Sequence, residues 1–188
     1  MPTTTNYGFY SPPLTGVTPN VPRDTKTLAD AVDAALKAEE TARIAGDVTP
    51  KDFADRYQNA AQTVANNTVT AVDFDTAIAM SGITWDATAK EFVIARAGRY
   101  QVNAQVTFTP NATGLRLGYI HVNGGLMRRN GINGTTGAEV GLSLSKGLTL
   151  AVGDRIRISA FQTSGGNLSI VASNKQTIAD VSYTGAAV

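Results

Sequence analysis

Tyr100-Gln101-Val102-Asn103-Ala104-Gln105-Val106-Thr107-Phe108 alternates apolar and polar side chains without a break. A period of two places Tyr100, Val102, Ala104, Val106 and Phe108 on one face of a strand, with Gln, Asn and Thr on the other. The same period recurs on both sides. Val72, Phe74, Ile78 and Met80 share one parity; Leu148, Leu150 and Val152 share another, followed by Ile156, Ile158 and Ala160. Leu168, Ile170 and Ala172 repeat it, and a last strand is expected from Ile178 to Tyr183. Turn signals separate these runs at Ala97-Gly98, Asn123-Gly124, Asn130-Gly131, Asn133-Gly134, Gly153-Asp154 and Gly165-Gly166. Short alternating strands with no helical pattern between them predict a mainly β fold, an antiparallel sandwich over residues 68–188.

Before Thr68 the reading changes. Pro2, Pro12, Pro13, Pro19 and Pro22 punctuate residues 1–24, with Tyr7, Phe9 and Tyr10 among them. Proline fixes φ and removes donors, so an extended docking arm with three aromatic anchors is expected. Residues 25–67 are expected to form a helical stalk of two short helices. In the first, from Thr27 to Ala45, Leu28, Val32, Ala35 and Leu36 share a narrow stripe suited to packing against other helices. Thr25 or Thr27 is its expected cap and Gly46 its stop. In the second, Thr49 caps, Pro50 opens the first turn, and Phe53, Tyr57, Ala60, Ala61 and Val64 follow at helical spacing as far as Asn66-Asn67. Leu28, Val32, Leu36, Phe53, Tyr57 and Val64 are therefore the expected stalk-packing residues.

Composition narrows the function. Charged residues are 16% of the chain, below the usual ~25%, and the net charge is +1. Neither nucleic acid nor acidic lipid is favoured as a partner. The absence of cysteine excludes disulfides and thiolate metal sites. No apolar run approaches a membrane span, and Met1-Pro2-Thr3-Thr4-Thr5 lacks the basic start of a signal peptide. His121 is the single histidine, so a zinc site would need several carboxylates. Asp73 and Asp75 flank Phe74 and should face water. The stretch from Asn123 to Gly137 lacks the order of a phosphate loop and reads as exposed hairpins and loops. No catalytic constellation, cofactor or metal site is expected.

Four ordered landmarks carry a resemblance. Ile83-Thr84-Trp85-Asp86 leads through Phe92-Val93-Ile94 to Gly98-Arg99-Tyr100; Ile120-His121-Val122 ends in Asn123-Gly124; Leu148-Thr149-Leu150 precedes Gly153-Asp154 and an alternating strand; Val181-Ser182-Tyr183-Thr184-Gly185 closes the chain. Together they resemble the jelly-roll heads of the complement-q and tumour-necrosis-factor-like superfamily. The resemblance implies a ten-stranded jelly roll that associates as a homotrimer. There is no collagen-like stem and no secretion signal, which argues against an extracellular signalling role.

The N-terminal part is similar to the opening of minor tail and fibre proteins of tailed phages, on Thr5-Asn6-Tyr7-Gly8-Phe9-Tyr10 and on Asp24-Thr25-Lys26-Thr27-Leu28 with the alanine-rich run after it. That similarity implies a virion structural protein, a tail fibre or minor tail protein assembled in the host cytoplasm. Its arm would hold other virion proteins, and its head could meet a host-surface glycan. A head fibre or capsid decoration protein is the alternative, and a carbohydrate-active enzyme the remote one. Residue type and loop position single out Trp85, Tyr119, His121, Arg128, Arg129 and Asn130 as candidate receptor contacts.

Overall fold

The computed structural model describes residues 21–47, 52–172 and 175–186; the arm residues Tyr7, Phe9 and Tyr10 lie outside them. The chain divides into two units between Thr49 and Pro50. The first contains one α-helix, α1 (Val21–Asp47). It is longer than expected at both ends. Pro22 fits the first turn, where a missing N–H breaks no bond, and Thr25 and Thr27 lie inside the helix. Gly46 does not stop it. Alanine, leucine, glutamate, lysine and arginine, all good helix formers, supply fifteen of its 27 residues. Leu28, Val32 and Leu36 are 64%, 44% and 41% exposed.

The second unit is a sandwich of antiparallel strands, thirteen among the described residues. Its first sheet runs β4 (Thr76–Ser81), β1 (Phe53–Tyr57), β13 (Ile178–Gly185), β7 (Gly98–Phe108) and β10 (Val140–Leu150), with β12 (Leu168–Ile170) and β2 (Gln62–Val64) beyond the end of β7. Its second sheet runs β5 (Ile83–Asp86), β6 (Glu91–Ile94), β11 (Arg155–Gln162), β8 (Leu115–Val122) and β9 (Gly125–Asn133), with β3 (Thr70–Ala71) against β11. The jelly-roll expectation holds. The strand number exceeds ten because short pieces such as β2 and β3 add to the sheets by pairing with β12 and β11.

The expected second helix is a correction. Phe53 to Tyr57 forms β1, inserted between β13 and β4, and Val64 ends β2 in the core. Residues 53 and 57 satisfy a period of two as well as one of 3.6, so spacing alone could not decide. The ladder did. Each residue of β1 pairs on both sides, which outweighs the helical preference of Ala60 and Ala61. Phe53, Tyr57 and Val64 therefore belong to the sandwich, which begins some fifteen residues earlier than expected.

The inward faces meet in a core built on the expected parities. Tyr100, Val102, Val106 and Phe108 of β7 lie buried with Ile156, Ile158, Leu142, Leu144 and Val181. Phe74, Phe92 and Trp85 form an aromatic cluster, with Trp85 and Phe92 edge-to-face at 4.9 Å. Two apolar residues depart from the pattern. Ile78 is 41% exposed because the β1–β4 register jumps from Asp55↔Ala79 to Arg56↔Ala77, leaving it as the extra residue of a bulge. Val152 is exposed because β10 ends at Leu150 and the turn has already begun.

Candidate functional site

One end of the sandwich explains why the sequence landmarks stand where they do. Tyr100 donates its hydroxyl to the Arg96 carbonyl at 2.8 Å and meets Tyr183 edge-to-face at 5.4 Å. The Arg96 guanidinium lies 3.8 Å from the Tyr183 ring centre and donates Nε to Asp52 at 2.7 Å. Gly98 is required by this contact, since a Cβ there would come within 2.3 Å of Tyr183 Cε2. The Gly-x-Tyr and closing-strand landmarks are thus one packing unit. It is structural.

Buried arginines also serve the frame. Arg56 donates Nε to the Phe74 carbonyl at 2.7 Å and Nη2 to the Asp75 carbonyl at 3.0 Å, beneath the Trp85 ring. Arg116 is fully buried and donates to the carbonyls of Asn111, Thr113 and Leu115, tying the loop before β8. Asp73 pairs with Lys90 at 3.3 Å. Asp75 accepts from the N–H groups of Asn59 and Ala60. Burial opposes ionisation of Asp75, but these hydrogen bonds and one from Thr76 outweigh it and hold the carboxyl below its ordinary range. The two aspartates brace loops.

The structure separates the candidate receptor contacts. β5 and β9 are opposite edges of the second sheet, so Trp85 lies apart from the rest, packed on Phe74 and Phe92. Tyr119 and His121 sit side by side on β8, 5.7 Å between ring centres. Arg129 pairs opposite Tyr119, Arg128 opposite Ile120, and Asn130 donates to the Ser143 carbonyl at 2.9 Å. Asn130-Gly131 was expected as a turn. It lies instead inside β9, where Gly131 leaves room for the Leu117 side chain, 2.4 Å from where a Cβ would stand. Burial first and the neighbouring Arg157 second push His121 below its usual value, so its imidazole is neutral at neutral pH. The β8–β9 hairpin still presents Arg129 with exposed Leu126 and Met127. Its Asn123-Gly124 turn forms as expected, both residues at positive φ.

The surface that sequence reasoning missed is the outward face of the first sheet. Strand register lays its side chains in rows across β4, β1, β13, β7 and β10. One row is Ser81, Phe53, Ser182, Gln101 and Gly147; the next is Ala79, Asp55, Asp180, Asn103 and Ser145; a third is Thr76, Tyr57, Ile178, Gln105 and Ser143. Hydrogen bonds knit the rows. Gln101 donates to Ser145 at 2.9 Å, Ser145 to the Asn103 side-chain Oδ1 at 3.0 Å, and Ser182 to Asp180 at 2.9 Å. A recess of about 520 Å³ opens here, lined by Asp55, Asn103, Ala104, Gln105, Ser143, Leu144, Ser145, Ile178 and Asp180. The polar parity of β7 was legible in the sequence; the rows were not, because register between distant strands leaves no local signal.

Amides, hydroxyls and two facing carboxylates can make hydrogen bonds and exchange protons. Among the described residues no group of three or more His, Cys, Asp or Glu side chains could hold a metal ion. No protein-family model matches the chain, and no curated protein matches it. Solved structures do. Eiger TNF from S. frugiperda superposes with a TM-score of 0.61 at 12% identity, covering 74% of this chain and 96% of that one. Murine APRIL superposes with a TM-score of 0.58 at 14% identity, covering 71% and 99%. At such identities the likeness establishes a shared jelly-roll fold and nothing further.

Proposed function

We propose that this chain is a non-enzymatic structural protein that works as a homotrimer, its sandwiches meeting through the outward face of the first sheet. The observation that carries the reading is the chemistry of that face. Its three central rows carry only two charged side chains across five strands, Asp55 and Asp180. A sheet face kept in water is ordinarily studded with lysine and glutamate; this one offers neutral groups that can pair with copies of themselves. Strand spacing and rise make the three rows roughly 20 Å by 14 Å, the size of the centre of a protein interface and not of a whole one. The exposed stripe of Leu28, Val32 and Leu36 supports the same reading for α1. The number three rests on the jelly-roll resemblance.

The phage-like opening of the sequence supports placement in a virion, as a tail fibre or minor tail protein attached through its N-terminal arm. In that role the β8–β9 hairpin, with Tyr119, Arg128 and Arg129, is the surface offered to a host glycan. Sedimentation of the full chain tests the assembly. The expected species has about three times the 19.6 kDa of the monomer, and Asn103→Arg, placing a cation in the middle row, breaks it. A wild-type chain that stays monomeric at micromolar concentration at both about pH 5 and about pH 7.5 would overturn the reading. Antibody labelling of purified particles tests the location, and particles that lack the chain would remove the virion role.

A further inference from the structure

Asp55 and Asp180 are direct cross-strand partners in the middle row of the assembly face. Like charges placed opposite one another repel. Asp180 is partly compensated, with both of its oxygens within 2.9 Å of the Ser182 hydroxyl and Asn103 Nδ2 at 3.5 Å. Asp55 is not: its Oδ1 is shut away from solvent and has no hydrogen-bond partner among the described residues. On β4 its neighbour is Ala79, on β7 the row continues with Asn103, and on β10 with Ser145. Among the described residues the cation that acts on it is Lys175, whose ammonium stands 5.5 Å from the Tyr57 ring centre. Both carboxylates line the 520 Å³ recess.

We propose that this carboxylate pair makes the face acid-gated: copies join when Asp55 carries a proton and separate when both aspartates are ionised. The inference rests on the self-association reading and adds its control. A protonated Asp55 changes from a repelling group into a hydroxyl donor facing Asp180, and closing the face over the pair then buries one negative charge, shared through that proton, instead of two. The surroundings already lean that way. Burial first and Asp180 second push the Asp55 carboxyl above its ordinary value, against the opposing pull of Lys175. A second copy laid over the face would remove more water and push it further. Association therefore takes up protons, and it tightens as the pH falls.

The test is sedimentation of the full chain with chelator at about pH 5 and about pH 7.5, beside Asp55→Asn, Asp180→Asn and Asp73→Asn. Each unit of pKa gained on association is worth tenfold per protomer. Wild type is expected to dissociate about tenfold or more readily at the higher pH. Asp55→Asn, which keeps the shape without the charge, is expected to stay assembled at both; Asp180→Asn flattens the dependence as well, and Asp73→Asn follows wild type. Wild type equally assembled at both values would sink the gate and leave the trimer standing. An Asp55→Asn chain with the wild-type slope does the same. A chain monomeric throughout overturns both readings. If calcium at pH 7.5 assembles wild type as acid does and fails on Asp55→Asn, the pair is a cation bridge and the proton gate is wrong.

Discussion

At the residue scale, the least replaceable positions are those where backbone meets a ring. Gly98 is one, since a methyl group there must displace Tyr183 or approach the Gly185 carbonyl oxygen to 2.8 Å. Gly98→Ala is expected to destabilise the sandwich by about 2–3 kcal/mol in denaturant unfolding. Gly124 also has positive φ, but nothing stands within 4 Å of its would-be Cβ, so Gly124→Ala should cost only about 1 kcal/mol of backbone strain. Equal losses at the two sites would refute the packing account of the Gly-x-Tyr landmark. Asp75 makes a prediction about pH. Its carboxyl is held low in the fold, so the stability it contributes is present above the unfolded value near 4 and disappears as the pH falls through the folded one. Unfolding of Asp75→Asn followed from neutral to acid pH should therefore show a shallower acid loss than wild type. An unchanged slope would mean the Asn59 and Ala60 hydrogen bonds do not depend on its charge.

At the scale of elements, β1 is the strand that matters most and the one the sequence concealed. Its five residues separate β13 from β4 and carry Arg56 beneath Trp85. Arg56→Ala would leave the Phe74 and Asp75 carbonyls without their donor, a loss of about 2–4 kcal/mol. A chain begun at Thr68, the expected head boundary, should fail to fold, whereas one begun at Pro50 should melt as a cooperative unit. Native folding from Thr68 would show β1 to be dispensable. β7 was readable because nine alternating residues leave no other period open. β1 was not, because Phe53 and Tyr57 fit helix and strand alike and the pairings that decide between them lie outside the segment, with β4 on one side and with β13, more than a hundred residues away, on the other. The same distance hid the outward face of the first sheet. Gln101, Asn103 and Gln105 announced a polar surface, but Asp55 sat in a stretch read as helix and Asp180 in the closing strand, and only register made them neighbours.

At the scale of the whole molecule, a net charge of +1 and a low density of charge decide how the proposed assembly should respond to salt. Interfaces held by complementary charges weaken as ionic strength rises, because counterions screen the attraction that drew the partners together. The face described here has no such attraction to lose. Its rows offer amide and hydroxyl groups, whose hydrogen bonds are short-ranged, and its two central charges have the same sign. Screening can therefore act only on repulsion. Between about 0.05 and about 0.5 M salt at neutral pH, association should hold steady or tighten, and in Asp55→Asn the remaining salt effect should vanish. Sedimentation across that range measures it directly. A tenfold weakening with added salt would mean that opposite charges elsewhere, with Arg99, Arg128 or Arg129 as the cations, hold the copies together, and the neutral sheet face would lose its claim to be the joint.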